Sequence, residues 1–323
     1  MLGLVAGGAI AGRFGAASAD GRIPVVGVLW HAATAGEEAA FREPLREGFE
    51  KLGYFDGKTV IFDECYAAED PEKFKSCAAE LVSHKVDVLI AGSVPAAFAA
   101  QRATSTIPIV LVANPDPVGL KLVASLSHPG GNITGLSTIA FDLAAKRVQI
   151  LKEALPGLTH LALLINPGAP GDGPRLLADM KPALDQLAIG ADAIEARQPD
   201  AIDAAFAKIG GAGFGAVIVS QNALFFNERK RIADLALRHR LPAMVPADLF
   251  VEAGALMSYG PRWPPIFRNA ATLVDKILKG AKPADLPVEQ PTVFDLTINR
   301  ATADALGVRL PPELLAQADR VIE

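Results

Sequence analysis

The sequence contains few aromatic residues and no strong excess of charge of either sign. Aromatic side chains make up 6% of the 323 residues, with two Trp and three Tyr, and the formal net charge is -5. Proteins that bind a phosphate backbone need clustered Lys and Arg, so this mildly acidic chain is a poor candidate for nucleic-acid binding. Hydrophobic residues account for 50% of the chain and charged residues for 21%, which is typical of a folded protein with sizeable cores.

Long apolar runs are also absent, since no segment reaches the ~18 uninterrupted apolar residues of a membrane-spanning helix. Residues 1–10 (MLGLVAGGAI) are apolar but short, and residues 17–19 form the A-x-A pattern of a cleavage site. We therefore expect residues 1–19 to be a signal peptide, cleaved near Ala19 to leave a soluble periplasmic protein that begins at Asp20. No base precedes the apolar run. Either a basic region upstream has been lost, or the segment is an ordinary apolar tail.

The motifs of common α/β enzymes are missing. The first predicted strand is followed by HAATAG (31–36) and not by the G-x-G-x-x-G of a dinucleotide-binding turn. No G-x-x-x-x-G-K-[ST] phosphate loop, G-x-S-x-G nucleophile elbow or Cys-x-x-Cys motif occurs. We expect no enzymatic activity and no cofactor. An α/β enzyme remains the alternative, on the ground that such folds host many activities.

Metal ligands are poorly represented. The histidines occur singly, without the i, i+3 or i+4 spacing that a metal site needs; they are His31, His84, His128, His160 and His239. We therefore expect no metal site.

The sequence contains two cysteines, Cys65 and Cys77. In an exported protein such a pair can form a disulfide, and we predict one here across the packing of a strand against the following helix. Two buried free thiols are the alternative, because free Cys is a common core residue.

Apolar strand patterns alternate with helical patterns in two successive runs. The first run has strands at 23–30, 59–63, 86–90 and 107–112 and helices at 41–52, 70–83 and 96–104. The second has helices at 143–155, 174–186, 202–209 and 229–238 and strands at 161–165, 193–196, 216–220 and 242–245. Continuous apolar strands separated by helices are typical of parallel sheets covered on both faces. We predict an α/β fold of two doubly wound parallel-sheet lobes.

The remaining segments predict a hinge between these lobes. The Gly-rich stretch 129–137 (PGGNITGLS) joins the two runs, and a strand, a helix and a further strand follow the second run. These three elements allow the chain to cross between the lobes twice more, which gives three crossings in total. We expect lobe one to comprise 23–136 plus 259–285, and lobe two to comprise 137–258 plus 286–323.

A ligand-sensing transcription regulator is a further alternative, because sugar-responsive repressors use a similar two-lobe sensor. Such a regulator needs a helix-turn-helix, usually before the sensor. Here the N-terminus is an apolar, export-like segment, which argues against this alternative.

Several segments together resemble one family, the ABC-transporter substrate-binding proteins with the type I periplasmic-binding fold, which include tryptophan-binding members. The resemblance covers nearly all of 23–323, and the DPVG and PGGNITG segments at their spacing are its most specific part. The resembling segments are GFEKLGYFDGKTV (48–60), SVPAA (93–97), IPIV and NPDPVG within 107–119, HPGGNITGLS (128–137), LLINP (163–167), GALMSYGP (254–261) and KILKGAKPADLPVEQPTVFDLTINRATADALGVRLPP (276–312).

The resemblance implies two lobes that close on a small-molecule ligand and dock on a membrane permease with a cytoplasmic ATPase. It implies an amino acid or an aromatic or apolar carboxylate as the ligand class. Similar members often carry Thr-Pro where this chain has Val94-Pro95. A threonine contact with the ligand is therefore in doubt, although the preceding Ser93 could replace it.

Charged and polar site candidates follow from the rule that open α/β sheets bind ligands beyond the carboxyl ends of their strands. Ser93 precedes a predicted helix whose free N–H groups could hold a carboxylate. Asp116 or Asp248 could pair with an ammonium group, and Arg262 with a second anion. The alternatives are that Asp248 caps a turn and that Arg262 forms an interlobe ion pair.

Aromatic candidates stand out because such residues are rare in this chain. Trp30, Tyr259 and Trp263 fall at predicted cleft edges, which indicates a ligand with an apolar or aromatic face, although lobe packing explains a Trp at a strand end equally well. The full set of predicted ligand-binding residues is Trp30, His31, Ser93, Asn114, Asp116, Gly135, Leu136, Ser137, Asn166, Gln221, Asn222, Asp248, Tyr259, Gly260 and Arg262.

Overall fold

A computed structural model of the chain describes residues 22–170 and 172–323. The expected signal peptide and its cleavage point lie outside these residues. The fold is α/β with two sheet-based lobes, as predicted. The strands are β1 (Val25–Trp30), β2 (Ile61–Tyr66), β3 (Val88–Ala91), β4 (Ile109–Asn114), β5 (Ile133–Ser137), β6 (His160–Ile165), β7 (Gly190–Glu195), β8 (Ala216–Val219), β9 (Ala243–Val245), β10 (Met257–Pro261), β11 (Phe294–Asn299) and β12 (Arg320–Ile322).

Helices alternate with these strands along most of the chain. Asp70 begins the second of them as predicted, because its carboxylate accepts hydrogen bonds from the backbone N–H groups of Glu72 and Lys73. The helices are α1 (Ala39–Lys51), α2 (Pro71–Ser83), α3 (Val94–Ala103), α4 (Ala144–Ala154), α5 (Pro174–Gln186), α6 (Pro199–Gly211), α7 (Ala223–Asn227), α8 (Arg229–Arg238), α9 (Asp248–Glu252), α10 (Trp263–Leu278), α11 (Arg300–Leu306) and α12 (Pro312–Gln317), with a short 3₁₀ helix at Pro283–Asp285.

The first lobe contains a five-stranded parallel sheet in the order β2-β1-β3-β4-β5. Its strands are buried on both faces, since Val26 and Val28 of β1 pack with α1 and α10 while Leu29 packs with α2 and α3. The Gly-rich join contributes the edge strand β5. Gly135 permits this pairing, because its φ is +149° and a Cβ there would lie 2.3 Å from the carbonyl oxygen of Leu111.

The second lobe contains a seven-stranded sheet in the order β12-β11-β10-β9-β8-β6-β7. Neighbouring strands in it are parallel except for β10 and β11, which are antiparallel. One face packs against α4, α5, α11 and α12, and the other against α6, α8 and α9. Helices therefore cover both faces of the second sheet, as its apolar strands indicated.

The chain passes between the lobes three times: between β5 and α4, between β10 and α10, and between residue 289 and β11. Two of the expected lobe boundaries need correction. Tyr259 and Gly260 were assigned to lobe one, but they pair with Leu296 and Asp295 in the second sheet. The second crossing therefore follows Pro261, where that pairing ends.

The third crossing also lies later than expected. Residues 286–289 were assigned to lobe two, but the N–H of Val288 donates to the carbonyl of Leu126 and the N–H of Glu289 donates to that of Gly135. Glu289 is also bridged to Leu136 beside β5. These backbone hydrogen bonds hold the segment on lobe one until the chain leaves for β11.

No helix among the described residues is both long and apolar enough to cross a membrane. Cys65, on β2, and Cys77, on α2, form a disulfide with a Cα–Cα distance of 5.6 Å. The bond fixes α2 against the edge strand of the first sheet, and α2 also forms one wall of the cavity described below.

We expect the double variant Cys65→Ser/Cys77→Ser to be less stable than the oxidised protein by about 3 kcal/mol, because the crosslink restricts a short loop in the unfolded chain. Urea unfolding of both proteins measures the difference. Dithiothreitol should lower the stability of the wild type to that of the variant and leave the variant unchanged. Two free thiols in denatured, unreduced wild-type protein would contradict the pairing.

Candidate functional site

The two sheets present equivalent points to each other. In the first sheet β1 lies between β2 and β3, and in the second β6 lies between β7 and β8, so the chain winds in opposite directions from each of these strands. In open parallel sheets a crevice forms at such a switch point, outside the carboxyl ends of the strands. A cavity of about 800 Å³ lies between the lobes here, and its walls include His31 after β1, Ser93 after β3, Asn166 after β6 and Gln221 after β8.

Aromatic side chains form the inner wall of this cavity. Phe41 of α1 and Trp263 and Phe267 of α10 come from lobe one, and Phe226 of α7 comes from lobe two. The ring centroids of Phe226 and Trp263 are 4.7 Å apart, and those of Phe41 and Phe267 are 5.0 Å apart. Aromatic rings at these spacings stabilise the structure by more than the burial of their apolar surface alone. The indole Nε1 of Trp263 is buried without a hydrogen-bond partner among the described residues.

The carboxyl group of Asp172 is the main acidic group of lobe two in the cavity wall. Its Oδ2 accepts hydrogen bonds from the backbone N–H of Asn166 at 2.9 Å, the hydroxyl of Ser220 at 2.7 Å and the amide of Asn222 at 3.0 Å. Its Oδ1 accepts one from the N–H of Gly173 at 3.0 Å. Burial raises the pKa of Asp172 to about 6 even though these hydrogen bonds oppose the shift. The donors therefore compensate only part of the cost of burying this charge.

A second acidic cluster lies across the cavity in lobe one. The Nδ1 of His31 is 3.3 Å from a carboxylate oxygen of Glu38 and 3.2 Å from one of Glu69. Burial opposes protonation of His31, but the two carboxylates outweigh it and the pKa of His31 is raised. Burial also raises the pKa of Glu38, whose carboxylate accepts hydrogen bonds from the N–H groups of His31 and Ala32.

The N-terminus of α3 supplies a site of the opposite polarity. Ser93 caps this helix, with its hydroxyl accepting a hydrogen bond from the N–H of Ala96 at 3.3 Å. Ser93, Val94 and Pro95 all line the cavity. Pro95 has no N–H and that of Ala96 is bonded to Ser93, so the N–H groups of Ser93 and Val94 are the ones at this helix start that favour an anion.

Polar contacts connect the two lobes around the cavity. Arg175 of α5 lies 3.2 Å from Asp116, which follows β4. Asn227 donates to the carboxylate of Glu69 at 3.1 Å. The amide of Gln221 donates at 2.8 Å to the hydroxyl of Thr138, where the chain first leaves lobe one. Together with the contact of Phe226 on the rings of lobe one, these contacts hold the lobes closed.

The structure brings five of the predicted ligand-binding residues together in the cavity wall: His31, Ser93, Asn166, Gln221 and Asn222. Trp30 is not among the wall residues. It is fully buried, stacks on Phe267 with ring centroids 6.2 Å apart, and donates from Nε1 to Glu64 at 3.3 Å. It packs behind the aromatic wall, since side chains of the strand alternate between faces.

Four more predicted residues lie where β4 and β5 approach the first crossing. The side-chain oxygen of Asn114 accepts a hydrogen bond from the N–H of Asp116, and Ser137 donates to the carbonyl of Pro115. Gly135 and Leu136 lie in β5 and bond to or pair with Glu289. None of these four is among the cavity wall residues, because their polar groups serve the strand ends and the hinge.

Asp116 lies outside the cavity wall as well. Besides the contact with Arg175, its carboxylate accepts a hydrogen bond from the N–H of Gly119 at 2.8 Å. It thus closes a turn and links the lobes, and the structure gives it no free face toward the cavity.

The last four predicted residues lie in or near β10: Asp248 comes between β9 and β10, Tyr259 and Gly260 lie in β10, and Arg262 follows it. Asp248 accepts from the N–H of Leu249 and lies 3.6 Å from Arg320. Arg262 donates to Asp295 at 2.6 Å. The contact of Arg262 is an interlobe ion pair, because Asp295 lies in β11 of lobe two. Asp248 is the first residue of α9, and its carboxylate contacts the first turn of that helix.

Tyr259 and Gly260 lie in β10, away from the switch point. The carbonyl oxygen of Tyr259 accepts from the buried Arg147 at 2.8 Å. A Cβ on Gly260 would lie 2.3 Å from the carbonyl oxygen of Pro246. These residues pack around the second crossing.

The sequence analysis missed many residues of the cavity wall, among them Phe41, Glu69, Asp172 and Phe226. The loop after β6 gave a usable signal for Asp172, because any acid between a central strand and the next helix is close to the switch point. Phe41 and Phe226 gave no distinct signal, because an apolar residue on a helix has the same pattern whether it faces a core or a cavity. Among the described residues no group of three His, Cys, Asp or Glu side chains could hold a metal ion.

Comparisons with known proteins match the fold and most of the chain. A protein-family model described as ABC transporter substrate binding protein matches residues 24–322. A tyrosine-binding protein of Clostridioides difficile (strain R20291) is 27% identical over 271 residues, which cover 81% of this chain and 75% of that protein.

Two solved structures share the fold over almost the whole chain. A conserved domain protein of Vibrio cholerae superposes with a TM-score of 0.87 at 29% identity, covering 93% of this chain and 100% of that one. A domain from Streptococcus pneumoniae in complex with L-Trp has a TM-score of 0.82 at 23% identity, covering 92% of this chain and 100% of that one.

We expect the raised pKa of Asp172 to appear in the pH dependence of stability. Between about pH 4 and pH 6 the folded chain retains a proton on Asp172 that the unfolded chain releases. The contribution of this group to the free energy of unfolding should therefore fall as the pH rises through that window, by about 3 kcal/mol in total.

Urea unfolding of the wild type and of Asp172→Asn at pH 4 to pH 8 measures this. The stability of the wild type relative to the variant should decline across the window and be constant above it. Asp185→Asn, which replaces an exposed acid of α5, is the control for the loss of a carboxylate as such. A difference between wild type and Asp172→Asn that is independent of pH would contradict the shift.

Proposed function

The chain belongs to the family of ABC transporter substrate-binding proteins, and from this premise we propose that its cleft captures an aromatic α-amino acid for delivery to a membrane permease. The family match confirms the resemblance found in the sequence. Two relatives support the ligand class, since one is a tyrosine-binding protein and the other was solved in complex with L-Trp. The single observation that carries the proposal is the aromatic wall of the cavity beside the buried carboxyl of Asp172.

The ligand's ammonium group is assigned to Asp172. Three of the four hydrogen bonds to this carboxyl converge on Oδ2, so Oδ1 retains a free acceptor position. An ammonium group within hydrogen-bonding distance stabilises the ionised carboxylate and supplies the compensation that the present donors leave incomplete. Glu69, on the opposite wall, adds a second negative charge near the same space.

The ligand's ring and carboxylate are assigned to the remaining walls. Phe41, Phe226 and Trp263 offer faces and edges to an aromatic ring. The start of α3 at Ser93 and Val94 offers N–H groups to the carboxylate. In this assignment the ammonium group, the ring and the carboxylate of the ligand each contact a different side of one cavity.

Closure of the lobes is assigned the role of excluding water. Ligand bound between lobes favours the closed arrangement by its differential affinity for that state. The contacts of Arg175, Asn227 and Gln221 across the cleft form only when the lobes approach. We propose that the protein binds its ligand without transforming it. Detection of a converted product by mass spectrometry, after incubation with a bound ligand, would favour the alternative of an α/β enzyme.

Calorimetric titration with tyrosine, phenylalanine and tryptophan tests the proposal. We expect binding, and at 100 times the dissociation constant a stabilisation of ~2.7 kcal/mol in thermal unfolding. Asp172→Asn should lower the affinity for tyrosine about tenfold or more, because it removes the charge opposite the ammonium group. The affinity for 3-(4-hydroxyphenyl)propionate, which lacks the ammonium group, should change little.

The matched pair of ligands separates a lost contact from a damaged fold. If Asp172→Asn weakens the binding of tyrosine and of 3-(4-hydroxyphenyl)propionate equally, the assignment of the ammonium group to Asp172 is wrong. Asp185→Asn serves as the control for a lost surface charge. If none of the three aromatic amino acids binds the wild type, the proposed ligand class is wrong.

We also propose that the chain is exported to the periplasm and cleaved after Ala19. The family of transporter-associated binding proteins and the A-x-A pattern at 17–19 support this. N-terminal sequencing of protein recovered from the producing cells should give Asp20 as the first residue. Recovery of an intact Met1 from the cytosolic fraction would contradict export.

A further inference from the structure

The cavity continues beyond the space between the switch points. One face of α3 lines it at Val94, Pro95, Phe98, Ala99, Arg102 and Ala103, which is the spacing of a single helical face. Since a helix rises 1.5 Å per residue, the nine steps from Ser93 to Arg102 span about 14 Å. The cavity therefore follows the helix for nearly its whole length.

Helix α2, which packs beside α3 in lobe one, also lines this extension. Pro71, Lys75 and Ala79, at spacings of four residues, line the cavity together with Phe74. Both helices contribute small side chains to this lining, Ala79 and Ala99 among them. We call this part of the cavity the outer groove, and its residues are Phe74, Lys75, Ala79, Phe98, Ala99, Arg102 and Ala103.

The outer groove is apolar at its base and basic at its end. Lys75 and Arg102 lie within it, and Arg197 lines the cavity from lobe two. Lys75 is 3.6 Å from Glu72 and Arg197 is 3.1 Å from Glu195. Arg102 has no carboxylate within ion-pair distance in the described part of the chain. An anion that reaches this point would meet a guanidinium without a competing acid.

The side chain of Arg102 is exposed and leans back along α3 over Phe98. Its guanidinium carbon is 5.9 Å from the ring centroid of Phe98, one turn nearer the start of the helix, as helical side chains lean toward the N-terminus. The guanidinium is therefore about one turn closer to Ser93 than its own Cα, which leaves about 8 Å along the groove. Each extended residue spans about 3.5 Å, so a second residue with an acidic side chain covers this distance.

The size of the cavity agrees with a ligand longer than one amino acid. Ligand pockets range from about 300 to about 1,000 Å³ for small molecules up to drug size. The observed volume of about 800 Å³ lies in the upper part of this range. A free amino acid would fill the inner part and leave the outer groove to water.

We propose that the cleft binds an elongated ligand: an N-terminal aromatic aminoacyl unit in the inner cavity, extended by a unit that carries an anion along the outer groove to Arg102. The simplest ligand of this chemistry is a dipeptide with an aromatic first residue and an acidic second residue. The inference rests on the proposed function. It keeps the ammonium group at Asp172 and the ring at Trp263, and places the peptide carbonyl at the start of α3.

Calorimetric titration of the wild type with tyrosine, Tyr-Glu, Tyr-Lys and Ala-Glu tests the proposal. We expect Tyr-Glu to bind more tightly than tyrosine and about fivefold more tightly than Tyr-Lys, which is the effect of a partly exposed charge pair. Ala-Glu, which lacks the ring, should bind weakly. In Arg102→Glu the preference between Tyr-Glu and Tyr-Lys should be reversed, while the affinity for free tyrosine stays within twofold of the wild-type value.

Arg309→Glu is the matched control, because it makes the same change of net charge at an exposed residue after α11. It should retain the wild-type order of affinities. If tyrosine binds and the dipeptides bind tenfold more weakly than tyrosine, the proposal of an elongated ligand is wrong and the proposed function stands. If the dipeptides bind but Arg102→Glu leaves their order unchanged, the anion does not lie in the outer groove. If neither tyrosine nor any dipeptide binds, the proposed function itself is wrong.

Discussion

The arrangement of the cleft depends on one constraint, the order in which parallel strands pair. Because β1 lies between β2 and β3, and β6 between β7 and β8, the loops after these strands diverge and leave a crevice at the edge of each sheet. The three crossings hold the two edges face to face. His31 and Ser93 then meet Asn166 and Gln221 around one cavity, although up to about 190 residues of chain separate them. The aromatic contact of Phe226 with Phe41 and Trp263 makes the two lobes share one buried cluster.

Much of the fold could be predicted from local patterns. Helices α5 and α8 have the bounds that their apolar spacing and starting residues indicated, and α2 begins at its Asp70 cap. The edge strand β5 could not be predicted in this way, because its Gly-rich surroundings carry no side-chain pattern and the close approach of Gly135 to Leu111 is a tertiary contact. The antiparallel direction of β11 was also missed, since the alternation within a strand does not encode the direction of its neighbour.

The candidate site was predictable to the extent that it depends on strand ends. His31, Ser93, Asn166, Gln221 and Asn222 were found because polar residues directly after a buried strand lie at the sheet edge. The same rule also selected Asp116, Asp248 and Arg262, which lie outside the cavity wall, because it does not show which acids and bases pair with each other. Asp116 pairs across the lobes, and Arg262 pairs with Asp295. Pairing is a property of the tertiary structure, and it decides which charges remain available.

The availability of charge also distinguishes Asp172 from acids whose charge is matched by a basic partner. An acid that is fully paired or hydrogen-bonded has a lowered pKa, as Asp56 has beside Arg46. Asp172 accepts four hydrogen bonds, yet burial keeps its pKa raised. Its carboxylate is therefore destabilised in the unliganded chain at neutral pH, and a cation in the cavity would recover that free energy. In our proposal the ligand supplies this cation. The cost of burying Asp172 then becomes part of the free energy by which the ligand favours the closed state.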